Sequence, residues 1–144
     1  SLAKFQDMKY NDKEKWQLLK DYKKSRFNNM ISAFTSFEQY VDYKQQIQEQ
    51  LVGLTTTDGI VITKQSKHFI ERVFGTTEDP KTMRPRSGVE LDDIKDAILH
   101  GQPILNKRDK SSVKYKNDKC SVSVNPKTNQ LIQVNPISRK KEEK

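Results

Sequence analysis

Cysteine is almost missing from this chain: Cys120 stands alone, which excludes an internal disulfide framework and a cysteine-based zinc site. Its neighbours Ser121, Val122, Ser123 and Val124 alternate as in a strand, so Cys120 reads as a small strand residue rather than a nucleophile. Histidine is nearly as scarce, and the two present, His68 and His100, do not stand at metal-ligand spacing. The sequence also has no glycine loop for phosphates and no Gly-x-Ser-x-Gly elbow, so nucleotide hydrolysis and zinc chemistry have little support. No apolar run approaches the length of a membrane span. The start at Ser1-Leu2-Ala3 has no secretory pattern and reads as a fragment cut from something larger, with any targeting information elsewhere.

Charge is what the chain has in excess. Charged residues make up 32% against 33% apolar, so either the core is small or part of the chain extends outside it. We favour an extension. The net charge of +8 points to an anionic partner, nucleic acid or an acidic protein, although a lysine-rich soluble surface gives the same figure. A length of 144 residues suits one domain with its own core.

Along the chain, Trp16, Leu19, Tyr22 and Lys23 stand at helical spacing, predicting a helix over residues 12–26 capped by Asn11 or Asp12. A second is expected over residues 36–51, with Phe37, Tyr40, Val41, Ile47 and Leu51 as its stripe and Gly53 as its cap. Asp58-Gly59 marks a turn, and Ile60-Val61-Ile62 reads as a short buried strand. Thr63 or Ser66 then starts a helix carrying His68. Its wheel places Phe69, Ile70, Val73 and Phe74 inward and Lys64, His68, Glu71 and Arg72 outward. Gly75 ends it, and residues 76–88 form a long polar loop. Val89, Leu91, Ile94, Ala97, Ile98 and Leu99 mark an amphipathic helix ended by Gly101. From Ile104 the period falls to two, with strands expected over 113–116, 119–125 and 130–135 as an antiparallel meander and a charged tail over 139–144. The fold class is therefore α+β: N-terminal helices over residues 1–53, an extension or linker, followed over 54–144 by a helix on a twisted antiparallel sheet.

Three constellations carry chemistry. His68 and Arg72 stand at i and i+4 and reach one side of a helix, where they can meet one phosphate, or where His68 is an ordinary surface residue. Arg84 and Arg86 can fork onto phosphate oxygens or pair with Glu90, Asp92 or Asp93. Lys107, Arg108, Lys110, Lys114, Lys116 and Lys119 form a basic run, with Lys114 and Lys116 sharing one strand face opposite Tyr115. That run is a nucleic-acid groove or a solvated hairpin. His100, at a helix end, is accounted for by the helix dipole.

The stretches Ser66-Lys67-His68-Phe69-Ile70-Glu71-Arg72-Val73-Phe74-Gly75, Arg84-Pro85-Arg86-Ser87-Gly88-Val89, Val122-Ser123-Val124-Asn125-Pro126-Lys127-Thr128 and Val134-Asn135-Pro136 resemble the phage-associated branch of the barnase, EndoU, colicin and RelE-like nuclease superfamily. The likeness covers about residues 60–139. The segment Phe5-Gln6-Asp7-Met8-Lys9-Tyr10 and residues 16–37 look like the region before such domains in minor head (head morphogenesis) proteins of phages infecting Gram-positive bacteria, and related domains end polymorphic toxins.

The resemblance implies one or two helices on a twisted sheet of about four strands and metal-free RNA cleavage without a cofactor. It implies His68 as acid or base with Arg72 beside it, and Arg84, Arg86 and Ser87 at the phosphate. Ser138 would be the hydroxyl after the last strand, and Lys114 or Lys116 the sheet cation. Residues 107–112 depart from the family pattern, and the second acid-base group has no assigned position. The expectation is an endoribonuclease of a virion or toxin, acting in the bacterial cytoplasm, monomeric as an isolated domain. Its partners would be RNA, an acidic immunity protein or phage head proteins. The competing expectation is a non-catalytic virion or nucleic-acid-binding domain on the same scaffold. An ADP-ribosyltransferase ranks last, because the chain has no convincing strand-borne Arg, Ser-Thr-Ser and Glu-x-Glu set.

Overall fold

A computed structural model describes residues 11–105 and 111–137. They form an α+β fold of four helices, a mixed five-stranded sheet and a two-stranded ribbon. Helix α1 (Asp12–Phe27) begins where the Asn11 side chain accepts from Glu14 N at 2.8 Å. Helix α2 (Phe37–Gln50) opens on a reciprocal capping box, Ser36 Oγ accepting from Gln39 N and Gln39 Oε1 from Ser36 N. Gly53 is not its cap; it lies beyond Leu51 with positive φ, and its N–H reaches Ile62 O at 2.7 Å.

Strand β1 (Lys64–Gln65) and helix α3 (Phe69–Phe74) replace the single helix expected from residue 63 or 66. The reason is the neighbouring strand. Ser66 N donates to Leu131 O at 2.8 Å and Ser66 Oγ to Ile132 O at 2.7 Å, so tertiary pairing holds this segment extended up to the turn that presents His68. The ribbon is β2 (Gly75–Thr76) against β3 (Arg86–Ser87), which ties down both ends of the expected polar loop. Gly75 is required there: its φ is +74°, and a Cβ would stand 2.3 Å from Arg86 O. Helix α4 (Leu91–His100) follows and Gly101 ends it.

Strands β5 (Val113–Lys116), β6 (Cys120–Asn125) and β7 (Gln130–Pro136) make the expected antiparallel meander; β4 (Gln102–Leu105), not expected from the sequence, extends it beside β5, and β1 adds to β7 in parallel, giving the order β1-β7-β6-β5-β4. Ile60-Val61-Ile62 is not a strand of this sheet; Val61 makes only an isolated bridge to Thr55, and Ile62 is buried. Ser123 pairs with Gln133 but Val124 with Leu131, so Ile132 is an extra residue in β7. That bulge turns both Leu131 and Val134 inward despite their odd spacing, and its carbonyl is the one Ser66 satisfies.

Helices α3 and α4 lie on one face of the sheet, α3 on β7 and α4 on β6 and β5. Phe69, Ile70, Ile94, Ile98, Tyr115, Val122, Val124 and Leu131 fill the space between, each fully buried. A large apolar side chain so placed contributes about 1.5–3 kcal/mol. The core is continuous across residue 53: Tyr22, Tyr40, Val41 and Ile47 belong to the same buried cluster, and rings of Tyr22, Phe37, Tyr40, Tyr43 and Phe74 stack or tilt against one another. Helices α1 and α2 thus pack on α3. Cys120 is buried on β6, its Sγ 3.5 Å from Asp93 O. Burial, then the charges of Asp93, Asp96 and Asp118, push its thiol up to about 12, which keeps it un-ionised at neutral pH. No helix among the described residues is long and apolar enough to cross a membrane.

Candidate active site

A cleft of about 490 Å³ opens between α1 and the turn before α3, with Lys20, Lys24, Ser25, Lys67, His68 and Glu71 among its lining. His68 is the N-cap of α3 rather than a residue within a helix, and its side chain is 77% exposed. Phe69 and Ile70, the next two residues, are fully buried and anchor the turn from the inside, as Ser66 anchors it on the bulge. The imidazole is accessible while its backbone is fixed on both sides.

Glu71 does not face solvent as its wheel position suggests; it is 4% exposed. One carboxylate oxygen stands 2.8 Å from His68 Nδ1. The other accepts from Ser25 Oγ, on α1, at 2.5 Å. A buried acid on an otherwise apolar helix face survives because both oxygens have partners. The chemical result is a histidine whose Nδ1 side is occupied by a carboxylate, leaving Nε2 toward solvent with its lone pair free when Nδ1 carries the proton.

The surroundings are cationic but interlaced with acids. Lys20, Lys24 and Lys67 line the cleft with Asp21. Lys44 of α2 is held below the usual lysine range by burial, opposed by Asp21 and Glu71 and aided by Lys67, which places its ammonium in the same electrostatic neighbourhood. The buried hydroxyl of Tyr40 has no hydrogen-bond partner among the described residues, and burial followed by the charges of Asp21 and Glu71 pushes its ionisation far up.

The residues singled out from sequence are only partly gathered here. Arg72 is half-buried one turn beyond His68 and acts electrostatically on Asp79 and Arg86. Arg86 pairs not with Glu90, Asp92 or Asp93 but with Asp79: its Nε donates to Asp79 Oδ2 at 3.1 Å and its Nη2 to Met30 O at 3.3 Å. Both partners of that ion pair have side chains only 11% exposed, and the buried Nη1 of Arg86 has no partner among the described residues. Arg86 thus ties the loop to the segment after α1, and Met30 is itself in the cleft lining. Burial, with the Arg72 charge, lowers the Arg86 pKa, and Asp79 opposes that drop.

Arg84 and Ser87 are exposed and outside the cleft lining. Lys114 and Lys116 also lie outside it, on the sheet face away from Tyr115. There the register sets Lys114, Ser123 and Gln133 in one cross-strand row and Lys116, Ser121 and Asn135 in the next, two rows without a carboxylate. Ser138, Lys107, Arg108 and Lys110 lie outside the described residues.

Sequence reasoning missed Glu71, Ser25, Lys20, Lys24 and Lys67. The i, i+3 spacing of His68 and Glu71 was the available signal for the pair, whereas nothing local announces Ser25, 46 positions from the acid it meets. No family model, curated protein or solved structure matches the chain.

Proposed function

We propose that the chain is a metal-independent endoribonuclease of the transfer type, in which His68 moves the proton. The observation that supports this reading is the accessible imidazole paired through Nδ1 with buried Glu71, in a cleft rimmed by Lys20, Lys24 and Lys67. His68 Nε2 takes the proton from a ribose 2'-hydroxyl as that oxygen bonds to the adjacent phosphorus. The bond from phosphorus to the 5'-oxygen breaks, leaving a 2',3'-cyclic phosphate and a 5'-hydroxyl whose proton comes from a cleft ammonium or water. Glu71 holds the ring in the required tautomer and balances the imidazolium that forms, and the ammonium groups stabilise charge growing on the phosphate oxygens. Arg72 adds positive potential one turn away.

In this reading the domain belongs to a phage minor head protein or a related toxin and acts in the virion or the bacterial cytoplasm. An acidic immunity protein would cover its basic cleft, since a net charge of +8 favours rapid capture by a negative surface. The test is incubation of the pure protein with total RNA, with and without chelator. Cleavage that survives chelation and disappears in His68→Ala supports the proposal; full activity in that variant removes it.

The carboxylate-free rows on the outer sheet face favour a second reading, a non-catalytic nucleic-acid-binding domain. It expects RNA to be retained intact, with an affinity that falls steeply with salt.

A further inference from the structure

Helix α1 carries its own pattern on the side turned from the core. Lys13, Trp16, Lys20, Lys23, Lys24 and Phe27 follow one another at spacings of three or four, apart from the adjacent lysines, and all are exposed. Trp16 is 58% exposed and Phe27 87%. Phe34, in the loop after the helix, is 90% exposed. Between residues 22 and 37 the chain has three cations and no carboxylate. Beside Phe27 a groove of about 250 Å³ is lined by Tyr22, Lys23, Arg26 and Ala33, with the Arg26 guanidinium 5.6 Å over the Tyr22 ring.

We infer that this ridge is a rail for single-stranded RNA, on which unpaired bases stack against Trp16, Phe27 and Phe34 while the lysines follow the phosphates into the His68 cleft. The inference rests on RNA being the substrate. Lys20 and Lys24 belong to both features, since they stand on the ridge and line the cleft. A core role is excluded by exposure. A protein-docking patch would gather its apolar groups, whereas Trp16 and Phe27 lie roughly 16 Å apart along the axis at a rise of 1.5 Å per residue, with only lysines between them on this face. Aromatic rings separated by cations are what a sequence-tolerant single-strand surface needs, because every base has a face to stack and every linkage a charge to neutralise. A duplex keeps its bases stacked on one another and offers none to the rings.

The test uses the whole chain with a fluorescein-labelled, 2'-O-methyl oligonucleotide that cannot be cleaved, single-stranded or annealed to its complement. Trp16 is the only tryptophan, so its fluorescence reports on the ridge directly. Saturable quenching by the single strand and not by the duplex is expected. Phe27→Ala with Phe34→Ala should weaken single-strand binding about tenfold or more at unchanged salt slope. Lys13→Gln with Lys23→Gln, which leaves the cleft intact, should reduce the slope by about 1.4.

Single-strand affinity within twofold of wild type in the phenylalanine variant, with an unchanged circular dichroism spectrum, overturns the rail. So does binding that leaves Trp16 fluorescence untouched. A dimer by sedimentation that the phenylalanine variant dissolves assigns the rings to self-association and also overturns it. The nuclease proposal stands or falls separately, on whether cleavable RNA is cut and whether His68→Ala stops it.

Discussion

Glu71 on α3 is 4% exposed and holds partners on both oxygens. Lys114 and Lys116 on β5, by contrast, stand on a sheet face whose other row members are Ile104, two serines, two glutamines and an asparagine. A second carboxylate is fixed in the same way as Glu71, in the loop after β2: Asp79, 8% exposed, is clasped by Arg86 and by Lys81 N at 2.9 Å. On the sheet face Lys116 is exposed and Lys114 half-buried, with no carboxylate in either row. A buried, doubly bonded carboxylate orients a neighbour at little further loss of entropy, while exposed lysines attract an anion without orienting it. The two regions therefore differ in preorganisation: the α3 carboxylate fixes the geometry of its neighbour, and the sheet lysines do not.

The sharpest way to break the comparison is His68→Ala. Cleavage should fall by about 10²–10⁴, the range of general acid–base catalysis. The fold should stay intact, because the side chain is 77% exposed, with a lower melting temperature because Glu71 loses the partner of one oxygen. Arg86→Ala comes next, with a lower midpoint expected in denaturant unfolding: it leaves Asp79 without its cation and Met30 O without a donor. Glu71→Ala should cost about 1–3 kcal/mol by the same measurement, since Ser25 Oγ loses its acceptor. It should also shift the imidazole tautomer seen by nitrogen NMR, which Ser25→Ala should move less.

Acidity sharpens the contrast further. The Lys81 N–H, and then Arg86 against the opposing effect of burial, hold the Asp79 carboxyl below its ordinary range. The folded state thus favours its ionised form. The resulting stability is complete above the unfolded carboxyl value near 4 and drains away as pH falls through the lower folded value. Asp79→Asn should flatten that acid limb in thermal melts taken at pH values below the unfolded carboxyl range. The smallest effect belongs to the sheet: Lys114→Gln with Lys116→Gln should move stability by no more than about 0.5 kcal/mol and lower the salt slope of RNA binding by about 1.4.

Much of the fold was legible because its signals are local. Asn11 and Ser36 announce their helices by side chains that reach only three residues ahead. The Pro126–Asn129 turn is equally local: Asn125 Oδ1 accepts from Lys127 N and Thr128 N, and Asn129 takes a positive φ. The candidate site was legible only at His68 and in part at Arg72. Glu71 looked like a surface acid because helical position records direction, not what arrives from elsewhere to cover it. Arg86 read equally as a phosphate ligand or as a partner of Glu90, Asp92 or Asp93, because its neighbours in sequence hid Asp79 and Met30, its neighbours in space.

From the order of residues alone came the α+β class, the two N-terminal helices, the helix ended by Gly101 and the meander of β5 to β7, each set by periodicity, capping groups and turn chemistry within a few positions. Tertiary structure alone decided that residues 64–65 join β7 in parallel, that the bulge at Ile132 receives Ser66, that α1 closes over Glu71, and that His68 stands at a helix start with its ring open to the cleft. The physical reason is that burying a charge or extending a backbone becomes favourable only when a partner many residues away supplies the missing hydrogen bond.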